Sequence, residues 1–425
     1  MPLRRLLFSA TLLLCVFAAA DAFAMEADQV TASTLANSKP HTRNAKDVKQ
    51  NQKKLNHGQG KKGVANIDSL ANWTDSFQAE GVDVNNNPQT TWWYNMVGGV
   101  PHKKETTTFK APIVPVSLDL RNADGTPRFV NGHRLFSDAT QFVDPVLESP
   151  IFEDFSYSSS NVPTQYTDAV QRAGFFDVAK AEWHTLLQPN ANTTPRTMVL
   201  LKGTYQFALN ADGTCCLFVL VNETTFGNAL FPATADDTTT PIGAAEHNGD
   251  ITTKDISTFL FPNTFLFDPA TGDCCVLGFH TYDFEPGDAA DGNREKRYVV
   301  NYSSWISPGL FRGGFEDVTA LSHELSETFN DPFVSSDGVL NIVPWWKSPN
   351  GLCQNNLEVG DVIEGLPDST FPMTMPNGFT YHPQNEALLS YFARQTHSTA
   401  IHGAYSYPNE NTLRSISPPE RAFCQ

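Results

Sequence analysis

Residues 317–332, DVTALSHELSETFNDP, constrain the fold more than any other stretch of this chain. Leu321, Leu325 and Phe329 recur at i, i+4, so on a helix of about 3.6 residues per turn they form one apolar stripe. His323, Glu327 and Asp331 recur at the same interval on a different face, with Glu324 beside them. Gly313-Gly314 and the acidic Glu316-Asp317 precede the helix, and Pro332 stops it. Such a helix must press its stripe into a core while its other face gathers carboxylates. No Lys or Arg occurs from Phe315 to Val334 to neutralise them. Carboxylates this dense repel one another unless a cation lies among them.

The spacing His323-Glu324-x-x-Glu327 is that of the H-E-x-x-H helix of zinc hydrolases, with Glu in place of the second histidine. On that pattern His323 and Glu327 are metal ligands. Glu324 is the catalytic base that takes a proton from the attacking water, while the ion polarises the carbonyl. A third ligand must come from outside the helix, and Glu358 has the character of the distal Glu in such sites. Asp361 is placed to ligate or to orient a histidine, and Asp331 extends the acidic face. His280 ends a predicted strand, where it either faces the same cleft or is a satisfied core histidine. An oxygen-rich set of Glu324, Glu327, Asp331, Glu358 and Asp361 would equally suit Ca²⁺, so zinc is the first expectation and calcium the alternative. His382, His397 and His402 read as surface residues, His402 being the most interesting of the three.

Export is written at the start of the chain. Arg4-Arg5, the apolar run Leu6–Ala20 and the ending Ala22-Phe23-Ala24 read as a secretory signal peptide spanning 1–24. Asp21 interrupts the run, and no later stretch is long enough to cross a membrane. The formal net charge is −17, and losing Arg4, Arg5 and Asp21 makes the mature chain slightly more acidic. That balance argues against nucleic acid and anionic membrane surfaces as partners. Cys15 leaves with the signal; Cys215, Cys216, Cys274, Cys275, Cys353 and Cys424 remain as disulfide candidates in an oxidising destination. Cys215-Cys216 and Cys274-Cys275 sit in strand-like apolar runs, which predicts that one doublet is bridged to the other across a sheet.

Residues 25–65 contain few large apolar side chains and many Asn, Lys, Gln, Thr and Ser, the composition of a disordered leader or pro-segment. Residues 66–425 then read as a single large α+β domain, a mixed sheet with an active-site helix and a loop-rich C-terminal part. Strands are predicted at Phe109–Leu120, Thr197–Leu209, Cys215–Val221, Phe261–Phe267, Cys274–Tyr282 and Arg297–Tyr302. Pro112 and Pro115 place the first of these at an edge or at strand ends. Tyr166–Leu187 reads as a helix, and a short helix is expected near Glu386–Arg394.

The blocks TQYTDAVQRAGFF (164–176), GFH (278–280), SHELSE (322–327) with DP (331–332), and EVGDVIEG (358–365) occur in this order. Together they resemble the phosphate-induced/EXORDIUM-like secreted proteins and related microbial secreted proteins that share the helix, over roughly residues 160–410. The resemblance implies a zincin-like fold, an extracellular or cell-wall location and metallopeptidase-like activity. Matched position by position, it implicates His280, His323, Glu324, Glu327, Glu358 and Asp361. Plant members carry Cys after the E-x-G-D run where this chain has Val362-Ile363, so their disulfide arrangement does not transfer.

These readings converge on a secreted metal-dependent hydrolase acting on a peptide or protein substrate. The alternative is a non-catalytic extracellular protein that binds a cell-wall component and carries a structural ion, with Trp92-Trp93 and Trp345-Trp346 as candidate glycan platforms. No Gly-rich phosphate loop, G-x-S-x-G elbow or basic aromatic face for nucleic acid is present.

Overall fold

The structure is a computed structural model and describes residues 28–36, 38–41, 67–82, 88–160, 162–287, 289, 292–334, 346–351, 353–354 and 357–416. It is α+β, built around an eight-stranded mixed sheet with a parallel centre. Ile256–Pro262 runs parallel to both Thr106–Arg121 and Glu295–Trp305. Gly278–Glu285 pairs antiparallel with Glu295–Trp305, with His280 opposite Asn301.

Both faces of this sheet are covered, which is why its strands are nearly continuous apolar runs. On one face Ile113, Leu260, Tyr282 and Val299 pack with Val170 of the helix Tyr166–Gly174 and with Leu321, Leu325 and Phe329 of the helix Thr319–Asn330. The predicted stripe is therefore the buried seam. On the other face Val114, Val116, Phe259, Phe279 and Tyr302 pack against a second, four-stranded sheet and the helices Glu223–Leu230 and Pro241–Asn248.

Several boundaries differ from expectation. Thr106–Arg121 lies inside the sheet, not at an edge. It pairs with His184–Asn190 through Pro112, with Ile256–Pro262 from Ile113 to Pro115, and with Arg196–Leu201 from Val116 onward. Each proline falls where one partner gives way to the next, so its missing N–H interrupts no continuous ladder. The helix expected over 166–187 ends at Gly174, and His184–Asn190 is a strand. Asp168 stabilises that return, accepting a hydrogen bond from the Thr185 N–H (2.7 Å) with His184 Nδ1 2.6 Å away.

The runs 197–209, 261–267 and 274–282 each divide between the two sheets, at Gly203, Asn263 and Leu277. Gly203 (φ +101°) and Asn263 (φ +39°) supply left-handed turns that redirect the chain. Near Glu386–Arg394 the helix is confined to Leu389–Phe392, and Glu386–Ala387 is extended against Ser406–Tyr407. No helix among the described residues is long and apolar enough to cross a membrane. The expected signal peptide lies outside the described residues, as does Cys424.

Two further corrections concern the four-stranded sheet, whose order is Tyr205–Leu209, Cys215–Asn222, Thr264–Asp268, Asp273–Val276. Its disulfides join neighbours in sequence, Cys215–Cys216 and Cys274–Cys275, not one doublet to the other. Thr264–Asp268 lies between the two cysteine strands, and two strand spacings of about 4.8 Å exceed the reach of a disulfide. Cys353 lies on the short strand Cys353–Gln354.

Residues 28–36 and 38–41, expected to be disordered, are packed across this sheet. Gln29 bridges to Phe207 on one outer strand and His41 to Val276 on the other. Between them Leu35 is buried against Phe218, Phe265 and Cys275. Arg128 forms a two-pronged ion pair with Asp28 at the strap's start. The composition of 25–65 as a whole hid these few anchoring residues.

Candidate metal centre

The helix Thr319–Asn330 is buried along all twelve residues, so its acidic face meets protein, not solvent. Strand alternation turns His280 and Tyr282 toward this helix and Phe279 away from it. Thr328 donates to Asn301 Oδ1 (2.7 Å), the residue opposite His280, which fixes the helix against the strand pair.

Two glycines allow the close approach. A Cβ on Gly278 would stand 2.7 Å from Glu324 Oε1, and a Cβ on Gly360 would stand 2.7 Å from His323 Cγ and closer still to Nδ1. The strand thus makes room for Glu324, and the EVGDVIEG loop makes room for His323. That loop is held over the helix by Val359, Val362 and Ile363, which pack with Tyr94 and Met96 of the hairpin strand Pro88–Val97. Gly360 and Asp361 donate their N–H groups to Glu327 Oε1 (3.1 and 3.3 Å). Gln384 joins the layers, donating its side-chain amide to the Gly360 carbonyl and its N–H to the Ser322 hydroxyl, each at 2.8 Å.

His323 Nε2 lies 3.0 Å from Glu327 Oε1 and 3.6 Å from Asp361 Oδ1. His280 Nδ1 lies 3.3 Å from Glu327 Oε2 and 3.5 Å from Glu324 Oε2, while its Nε2 is 3.8 Å from Glu358 Oε2. Among the described residues three donor groups have ligand atoms within 4.8 Å of one another: His280/Glu324/Glu327, His280/Asp331/Glu358 and His323/Glu327/Asp361. These buried clusters could hold a metal ion. All the sequence-nominated residues come together, but Glu358 falls with His280 and Asp331 while Asp361 completes the His323 group.

Neither ring nitrogen of His280 and neither oxygen of Glu324 makes a hydrogen bond among the described residues, although His280 is 1 % and Glu324 0 % exposed. Buried polar atoms are seldom left without hydrogen bonds, even where, as here, opposite charges lie 3.3–3.8 Å away. Electrostatics sharpens the point. Burial opposes charge on His280, but Glu358, Glu324 and Glu327 outweigh it and hold its pKa well above the ordinary value. His323 is raised in the same way against its burial, chiefly by Glu327. Burial also works against ionising Glu327, yet His323 and His280 hold it far below the usual carboxylate range. Glu324 is pushed up to about 7, burial outweighing both histidines. Glu358 is raised well above its ordinary value, first by burial and then by Glu327. The acids outnumber the imidazoles, and a divalent cation is the counter-charge that suits them.

Glu386 was not anticipated. It is fully buried, neither oxygen has a hydrogen-bond partner among the described residues, and burial raises its pKa well above the usual range. An acid between Asn385 and the apolar Ala387-Leu388-Leu389 was the available signal. The other histidines lie elsewhere. His382 pairs with Asp317 (2.8 Å), His402 with Glu410 (2.9 Å), and His397 belongs to none of the donor groups. Trp92 is core at 2 % exposure and Trp93 is 48 % exposed; the side chains of Trp345 and Trp346 lie outside the description. Comparison with family models, with curated proteins and with solved structures finds no match.

Proposed function

We propose that this chain is a secreted, zincin-like metal-dependent hydrolase acting on peptide or other amide bonds, as its resemblance to the EXORDIUM-like secreted proteins implies. The observation that carries the reading is Glu324: a fully buried carboxylate without a hydrogen-bond partner among the described residues, pushed up to about 7, one residue from His323. A general base works best when its pKa lies near the working pH. His323, Glu327 and Asp361 would hold a divalent cation, zinc by preference, and the ion would supply Lewis acidity toward a substrate carbonyl. Glu324 would accept the proton of the attacking water and return it to the leaving amine. Gly278 holds that carboxylate in place by leaving it space, and the Gly360 and Asp361 N–H groups orient Glu327.

A second reading, an extracellular binding protein with a structural zinc or calcium ion, is favoured by burial. His280, His323 and Glu324 are sealed, and Asp361 is the most open member at 17 % side-chain exposure. Hydrolysis of a peptide library by the metal-loaded protein and its Glu324→Gln variant separates the two. Hydrolysis that falls by roughly 10²–10⁴-fold in the variant, at equal metal content, supports the enzyme. A metal-loaded parent that hydrolyses nothing supports the structural ion.

A further inference from the structure

We infer that the centre holds two divalent cations bridged by the Glu327 carboxylate. This rests on the metal-binding reading above and extends it from one ion to two. The two oxygens of Glu327 face different histidines, Oε1 toward His323 Nε2 at 3.0 Å and Oε2 toward His280 Nδ1 at 3.3 Å. The donor groups divide the same way. His323 and Asp361 form one set with Glu327, and His280 and Glu324 form another with the same carboxylate, while Asp331 and Glu358 gather with His280 apart from Glu327.

Ligands about 2.0–2.2 Å from a zinc-sized ion lie within about 4.4 Å of one another. Each group's donor atoms lie inside 4.8 Å, so a movement of a few tenths of an ångström closes each group round one ion. Neither His323 nor Asp361 shares a group with His280, so one ion does not gather both sets. His280 supplies the independent sign of a second ion, since both its ring nitrogens are buried without hydrogen bonds among the described residues. Paired ions about 3.5–4 Å apart are a known arrangement for hydrolysis, because both the attacking and the leaving atom can be stabilised.

The test uses the full secreted protein, freed of metal by chelation and titrated with Mn²⁺, with bound metal counted and low-temperature electron paramagnetic resonance recorded. Two ions per chain with a spin-coupled spectrum are expected in the parent, and one ion with an uncoupled spectrum in His323→Ala and in His280→Ala. One ion per chain in the parent, or two ions without coupling, overturns the bridge and leaves the proposed hydrolase standing. No bound ion overturns both. The parent's stoichiometry and coupling decide the matter even where a variant fails to fold.

Discussion

Replacing Gly360 with Ala should damage the centre through one methyl group. Gly360 does not adopt a left-handed backbone, so removing glycine's conformational freedom would by itself stabilise the fold by about 0.4–1 kcal/mol. The structure predicts the opposite sign. The new Cβ would lie 2.7 Å from His323 Cγ, where ordinary carbon contacts are about 3.5–4.0 Å. Either the His323 ring or the loop must move by close to an ångström. The ring is held between Glu327 and Asp361, and the loop by two hydrogen bonds to Glu327.

Overpacking of this kind costs about 1–3 kcal/mol. With an unfolding entropy of about 2.1 cal/mol/K per residue, a chain of this size shifts its Tm by roughly 1–2 °C per kcal/mol. Calorimetry of parent and Gly360→Ala should therefore show a Tm lowered by a few degrees, and metal titration a weakened affinity. A Tm equal to or above the parent's, with unchanged affinity, would refute the reasoning.

Gly278→Ala should act on the other side of the centre, displacing Glu324 and lowering hydrolysis while most of the metal content remains; unchanged turnover would show that Glu324 is not positioned by that strand. Removing the Asp28 partner with Asp28→Ala should destabilise the fold by up to about 3–5 kcal/mol, because it takes the only carboxylate of that ion pair from buried Arg128 and leaves it the Tyr205 hydroxyl. Burial works against the Asp28 carboxylate, but the Arg128 hydrogen bond and charge depress its pKa below 3.8. Its contribution is therefore present above the ordinary carboxylate pKa and lost as pH falls through the folded value. The variant's stability should lose that part of the acid dependence, as acid titration of parent and variant would show. Non-reducing peptide mapping should find each cysteine doublet oxidised within its own peptide; a cross-linked peptide joining Cys215/Cys216 to Cys274/Cys275 would contradict the sheet order.

The helix Thr319–Asn330 was legible because periodicity, flanking glycines and Pro332 all agreed, and its burial follows from the stripe Leu321/Leu325/Phe329. The identity of the site residues was legible from the same helix: one His and three acids shared its polar side, with no Lys or Arg from Phe315 to Val334 to pair them. Their grouping was not. That Asp361 joins His323 while Glu358 joins His280 depends on the two N–H groups the loop gives to Glu327, a tertiary fact with no sequence period. Likewise the runs around Asn263 and Leu277 read as single strands because both halves are buried, and nothing local to Leu277 marks a change of sheet. Residues 28–36 and 38–41 were misjudged because Leu35 and Asp28 anchor a stretch whose average composition is polar.

Scanning calorimetry of chelator-treated protein with added Zn²⁺, Mn²⁺ or Ca²⁺ tests most directly whether a cation lies among these buried carboxylates. An ion that binds the folded chain stabilises it by RT ln(1 + [L]/Kd), about 2.7 kcal/mol at a hundredfold excess over Kd. The Tm should rise with metal concentration, and His323→Ala should blunt the rise. A Tm indifferent to all three ions, in protein that also carries no metal as purified, would contradict the account.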